Sequence, residues 1–126
     1  MKYIFILFYF ISINSYATPT DCFNELTQRE MTECSIKKLD LLEKKLDKKN
    51  SYILNIIEND KSFILSNKAW LNYRDAHCKS VANIYSGGSI YNFVLTECEI
   101  GKTKIRLKSL ESDYQDTINI ITKGAP

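Results

Sequence analysis

Apolar residues open the chain as one block and then spread into a helical rhythm. Tyr3 to Ile13 is apolar throughout except for Ser12, with Lys2 ahead of it and Ser15 and Ala17 behind it. The run is about 11 residues, against the ~20 that a membrane-spanning helix needs. A short apolar core behind a cation, with small residues at the −3 and −1 positions, predicts an export signal over residues 1–17. Cleavage after Ala17 leaves residues 18–126 as one domain with no integral membrane span. Cys22 lies beyond Thr18-Pro19-Thr20-Asp21 rather than directly after the apolar run, which argues against a lipid anchor.

Beyond that segment the pattern predicts three main helices. Thr27-Gln28-Arg29-Glu30 has the spacing of a capping box, and Met31, Leu39, Leu42, Leu46, Ile53 and Ile57 follow at mostly helical intervals. The first helix is expected to reach about Glu58 unless Asn50-Ser51 breaks it, and Asn59-Asp60 is the stop-and-start signal. A second helix from Lys61 places Phe63, Trp70, His77, Val81 and Ile84 near one stripe. Ser86-Gly87-Gly88-Ser89 ends it, with Ser89 suited to cap the next helix. A third helix from about Ile90 carries Val94, Cys98, Ile105, Leu110, Tyr114 and Ile118, and Gly101 within it suggests a close approach or a kink. Residues 120–126 are expected to fray. The predicted fold class is all-α, a small antiparallel helical bundle behind an N-terminal leader.

Charge and cysteine content narrow the function. Removing Lys2 from the 17 basic residues leaves about 16 cations against 15 acids, so no clustered basic surface of the kind nucleic acid needs is implied. Four cysteines in a small exported chain point to disulfides. Close C-x-x-C pairs are missing from the sequence, which argues against zinc or another metal site, and no cofactor motif is present. Cys22 and Cys34 would be ~18 Å apart along one straight helix. A bond between them therefore requires a leader that doubles back before Thr27. A bond between Cys78 and Cys98 would staple the second helix to the third across the Gly-Gly turn.

Asp21-Cys22, the series Thr27, Glu30-Met31 and Cys34, the block Ala69-Trp70-Leu71-Asn72-Tyr73-Arg74-Asp75-Ala76-His77-Cys78, the turn Gly87-Gly88-Ser89, and then Cys98, Thr103, Arg106 and Leu110 form a recognisable set. Together they resemble the LprI-like lysozyme inhibitor family of small exported bacterial domains. The match runs from Asp21 to about Leu110, and the W-x-x-Y-R-D-x-x-C block with G-G-S is its most specific part. The resemblance implies a disulfide-bonded helical domain and, for at least some relatives, inhibition of lysozyme. Four cysteines allow three connectivities, and Cys22–Cys34 with Cys78–Cys98 is the one that needs only local chain reversals.

Within "WLNYRDAHC" a catalytic arrangement would use His77 as base, Asp75 as its orienter and Cys78 as nucleophile. Asp75 and His77 point ~200° apart on a helix, and a cysteine committed to a disulfide offers no thiolate. No enzymatic activity is expected, and His77 has no assigned role. The structural assignment gives Trp70 and Tyr73 to the core. It gives Arg74 to a carboxylate on the first helix or to helix-end carbonyls, and Asp75 to a cap or to a base such as Arg106. Gly87 and Gly88 shape the turn. Ser89, Tyr91 and Glu99 are the candidate partner-binding residues. Lys37, Lys38, Lys44, Lys45, Lys48 and Lys49, interleaved with Asp40, Glu43 and Asp47, read as a solvated face, with an anionic lipid or wall polymer as the functional alternative.

Two functions compete. One is an exported envelope protein, periplasmic or secreted, that occludes the cleft of lysozyme or a related muramidase. The near-zero net charge weighs against it mildly, and local acids around Glu97-Cys98-Glu99 or Glu111-Ser112-Asp113 offset that. The other is a non-catalytic accessory module of the envelope. Nothing in the pattern specifies an oligomeric state.

Overall fold

Thr27 starts the first helix by the predicted chemistry. Its hydroxyl accepts the Glu30 N–H at 3.2 Å and donates to the Glu30 carboxylate at 2.8 Å. Helix α1 then runs Gln28–Ile56 without a break at Asn50-Ser51. It ends where Glu58 and Asn59 take positive φ (53° and 60°) and the Asn59 N–H closes back on the Leu54 carbonyl at 2.9 Å. That wrap satisfies a carbonyl the helix end would leave orphaned. Asp60 caps the next helix by accepting the Phe63 N–H at 2.8 Å. Helix α2 spans Lys61–Ala82, a 3-10 turn covers Asn83–Tyr85, and helix α3 spans Tyr91–Lys123. A further 3-10 turn, Cys22–Asn24, forms the leader.

These elements come from a computed structural model that describes residues 21–24 and 27–124. The expected export signal, residues 1–17, lies outside the described residues. The fold class is as the pattern predicts: all-α, three main helices and two disulfides. Cys22–Cys34 and Cys78–Cys98 have Cα atoms 5.7 Å and 5.5 Å apart.

Long-range pairs fix the topology. Gln28 meets Ser89, Ser35 meets Glu97, and Leu46 and Ile53 join Leu110 in one core, so α1 and α3 run parallel. Asn67 meets Arg106, and Phe63 meets Tyr114 edge-on at 5.2 Å, so α2 runs antiparallel to both. Helix α3 packs against each of the other two. The bundle has three storeys. At the end near the α1 start, Cys22, Cys34, Phe93, Met31 and Ile90 form a small cluster. At the far end Leu46, Ile53, Phe63 and Leu110 form the main core, with Trp70, Leu107 and Tyr114 against it. Between them lies a polar layer that includes buried Ser35, Arg74 and Thr103.

The register corrects several expectations. On α2 the buried residues are Phe63, Arg74, Cys78 and Ala82, while Val81 is 44% and Ile84 80% exposed. On α3, Ile105 faces outward at 63%, and Phe93, Thr96, Ile100, Thr103 and Leu110 are buried. Phe63, Trp70, Leu110, Tyr114 and Ile118 form or pack against the main core as expected, and apolar spacing fails toward the other end, where the seam carries small and polar residues. Gly101 lies in unbroken helix, and a Cβ there would meet nothing within 4 Å, so it marks neither a kink nor a close approach. Ser89 does not cap α3. The residue before the helix is Ile90, which makes no side-chain cap bond. The third helix continues to Lys123, through part of the segment expected to fray.

Candidate functional site

The Trp70–Cys78 block lies on α2 where it faces both neighbours, and its centre is Arg74. The guanidinium side chain is 7% exposed. Nη1 donates to Glu43 of α1 at 2.8 Å and to the Thr103 hydroxyl of α3 at 3.2 Å. Nε and Nη2 both reach Asp75 Oδ1, at 3.0 and 2.9 Å. Thr103 in turn donates to the Glu99 carbonyl at 2.8 Å. Burial works against the Arg74 charge, but its hydrogen bonds to Glu43 and Asp75, together with their charges, outweigh it and hold its pKa above the ordinary value. One cation thus ties all three helices together. The expected bond to a first-helix carboxylate is present, with Glu43 as the partner.

Asp75 does not reach Arg106, because its own neighbour Arg74 takes it. Arg106 instead donates to Asn67 at 2.8 Å and lies over the Trp70 ring at 5.7 Å, on which Arg74 also lies at 5.5 Å. Trp70 is half-buried between two guanidinium groups and the main core. Tyr73 is not a core residue: it is 53% exposed and stacks on His77 at 5.4 Å, with Lys102 over its ring. His77 therefore contacts a phenol and not Asp75, and Cys78 is bonded to Cys98. The geometry of a base, an orienter and a thiolate is not assembled there.

Glu43 and Asp75 are 42% and 46% exposed at the side chain, so the polar layer opens onto the surface. Glu99 joins them. Burial pushes its carboxyl above the ordinary range; Arg74 opposes this, and Asp75 and Glu43 add to it. Glu43 and Asp75 pair with the buried guanidinium, and Glu99 feels the charges of both Arg74 and Lys79, so three carboxylates face two cations on this flank. The expected acidic spot at Glu97 turns inward, where its carboxylate accepts from Ser35 at 2.5 Å. Among the described residues no group of His, Cys, Asp and Glu is arranged to hold a metal ion.

More than two helical turns beyond this flank, the α2–α3 connection closes the end of the bundle at which α1 starts. Gly87 has φ of 79°, the Gly88 N–H bonds to the Tyr85 carbonyl at 2.9 Å, and a Cβ on Gly88 would meet that oxygen at 3.1 Å. The two glycines are what this turn requires. Ser89 Oγ hydrogen-bonds Gln28 Oε1, tying the turn to the α1 start beside a surface groove of about 330 Å³. Tyr91 is half-buried in the first turn of α3. The exposed apolar groups at this end include Val81, Ile84, Tyr85 at 41% and, on the leader, Phe23 at 62%, which packs edge-on against Phe93 at 5.0 Å. Ile84 and Tyr85 carry no motif, and only their place just before Ser86-Gly87 signalled them.

Comparison with known proteins bears on this arrangement. The family model described as lysozyme inhibitor LprI matches residues 21–110. No curated protein and no solved structure matches the chain.

Proposed function

The chain belongs to the LprI lysozyme inhibitor family, and from that premise we propose that it is an exported, non-catalytic protein that inhibits a lysozyme-type muramidase by occluding its cleft. The observation that carries this is the bracing of the α2–α3 turn. Cys78–Cys98 holds its two flanking helices, and Ser89–Gln28 holds its side. A loop fixed before contact loses little freedom on binding, and most of its contact energy then counts as affinity. Ile84 and Tyr85 supply the apolar tip, and Asp75 and Glu99, more than two helical turns back along α2 and α3, supply carboxylates on the flank. Lysozymes are commonly cationic, so that flank would raise the association rate more than the final affinity.

An inhibition titration tests it, using lysis of cell-wall suspensions by several lysozyme types. Tyr85→Ala with Ile84→Ser is expected to weaken inhibition by ten-fold or more, on the order of the 1–2 kcal/mol that truncating interface anchors removes. The protein should stay folded with only a small change in melting temperature, because Ile84 is largely exposed and Tyr85 partly so. Tyr91→Ala is expected to lower stability as well, since that ring is half-buried. Absence of inhibition by the folded, oxidised protein at micromolar concentration would overturn the proposal.

A further inference from the structure

Helix α1 sorts its charges into stripes. At about 100° per residue, Lys37, Lys38, Lys44, Lys45, Lys48 and Lys49 fall within roughly 140° of arc. Asp40, Glu43 and Asp47 fall on a separate arc, and Leu42, Leu46 and Ile53 on the third, toward the core. The interleaving in sequence is therefore segregation in space. Of the lysines, Lys44 bonds to Asp40 at 2.7 Å. Among the described residues Lys45, Lys48 and Lys49 form no ion pair. At the centre of the lysine arc stand Leu41 and Tyr52, 48% and 50% exposed. Shallow depressions of about 420 Å³ and 280 Å³ lie on either side of Lys45 and Lys48, one reaching Leu41 and the other Tyr52.

Leu41 and Tyr52 stand on the midline of the stripe, so its cations flank apolar and aromatic surface on both sides. From Lys37 to Tyr52 the stripe is ~22 Å long and straight. Cations bordering an apolar and an aromatic side chain on a straight helix match the boundary of an anionic bilayer. The ammonium groups meet headgroup phosphates while their methylene stems, the leucine and the tyrosine ring enter the layer below. We infer that this face of α1 docks the protein on an anionic phospholipid surface. A soluble phosphate polymer would satisfy the lysines but would leave Leu41 and Tyr52 without a purpose. The face lies apart from the braced turn, so the inference does not depend on lysozyme inhibition.

The test is co-flotation of the oxidised protein, in the form recovered after export, with vesicles of phosphatidylcholine alone and of phosphatidylcholine mixed with phosphatidylglycerol. Binding should require phosphatidylglycerol and should fall with added salt. Each unpaired lysine contributes about five-fold near such a surface, so Lys45→Gln, Lys48→Gln and Lys49→Gln together should weaken partitioning by roughly 100-fold. Leu41→Ser with Tyr52→Ser should weaken it while leaving the salt dependence unchanged. The lysine variant should melt like the wild type, the Leu41 and Tyr52 variant should stay folded with a small loss of stability, and both should behave like the wild type in the lysis assay. Equal binding to the two vesicle types, or no effect of the lysine substitutions, would overturn the inference. So would competition by soluble polyphosphate combined with indifference to the Leu41 and Tyr52 changes, because that pair of results assigns the stripe to a polymer.

Discussion

Arg74 shows what a single side chain does here. Replacing it with alanine leaves Glu43 and Asp75 without their shared cation and the Thr103 hydroxyl without its donor, and it removes the charge that opposes the raised Glu99 pKa. The expected loss is about 3 kcal/mol, the low end for a broken buried pair because its partners are half-exposed. Lysine should restore little of it, since one ammonium cannot span Glu43, Asp75 and Thr103 together. Trp70→Ala should lower stability by about 2–3 kcal/mol, less than for a fully buried indole. Chemical denaturation of both variants measures this. Glu99 behaves in the opposite sense. Its pKa is raised in the folded state by burial, so the folded protein holds that proton more tightly than the unfolded chain. Its ionised form therefore weakens the fold at neutral pH, and the penalty fades as pH falls through the raised folded value. Glu99→Gln is expected to stabilise the protein at neutral pH and to make no difference in acid; equal stabilisation across that range would contradict the assignment. The Arg74 pairing with a first-helix carboxylate was legible because a cation in that block needs a partner. The Asp75 partner was not, since nothing in residue type tells a one-residue reach from a reach to Arg106.

At the scale of elements, caps and staples carried the most information. Thr27, Asp60 and the Gly87-Gly88 turn mark where the helices start and stop, and each does so through a named hydrogen bond or a positive φ. Which face of each helix is buried was far less legible. The seam includes Ser35, Arg74, Cys78, Ala82, Thr96 and Thr103, polar or small residues that a search for apolar periodicity passes over. Meanwhile Val81, Ile84 and Ile105 score as core and stand in solvent. The cysteines compensate, because a bond between α2 and α3 sets their register without large side chains. Serine at both Cys78 and Cys98 removes a 20-residue closure and should lower stability by about 3 kcal/mol in the chain-entropy model. Serine at both Cys22 and Cys34 removes a 12-residue closure and should lower it by a similar amount, but it should free only the leader. Limited proteolysis separates the two, with new cleavage near Ser86 expected only in the first.

Across the whole molecule, both staples lie at one end and the large apolar cluster at the other. Cys22–Cys34 and Cys78–Cys98 border the Phe93 cluster, whereas Leu46, Ile53, Phe63 and Leu110 pack at the far end without any covalent bond. The polar layer around Arg74 separates them, so neither staple lies within the main core. Reduction should therefore act unevenly. Backbone amides in the second half of α1, the first half of α2 and around Leu110 of α3 are expected to stay protected from hydrogen exchange. Those around Met31, residues 78–91 and Phe93 should lose protection, because their remaining apolar contacts are few. Helicity should fall only in part, while the braced turn loses the rigidity on which occlusion depends. Hydrogen-exchange mass spectrometry with and without a reductant resolves the two ends. Uniform loss of protection would mean that the bundle opens as one unit, and the staples would then be supporting the whole fold rather than the end that meets a partner.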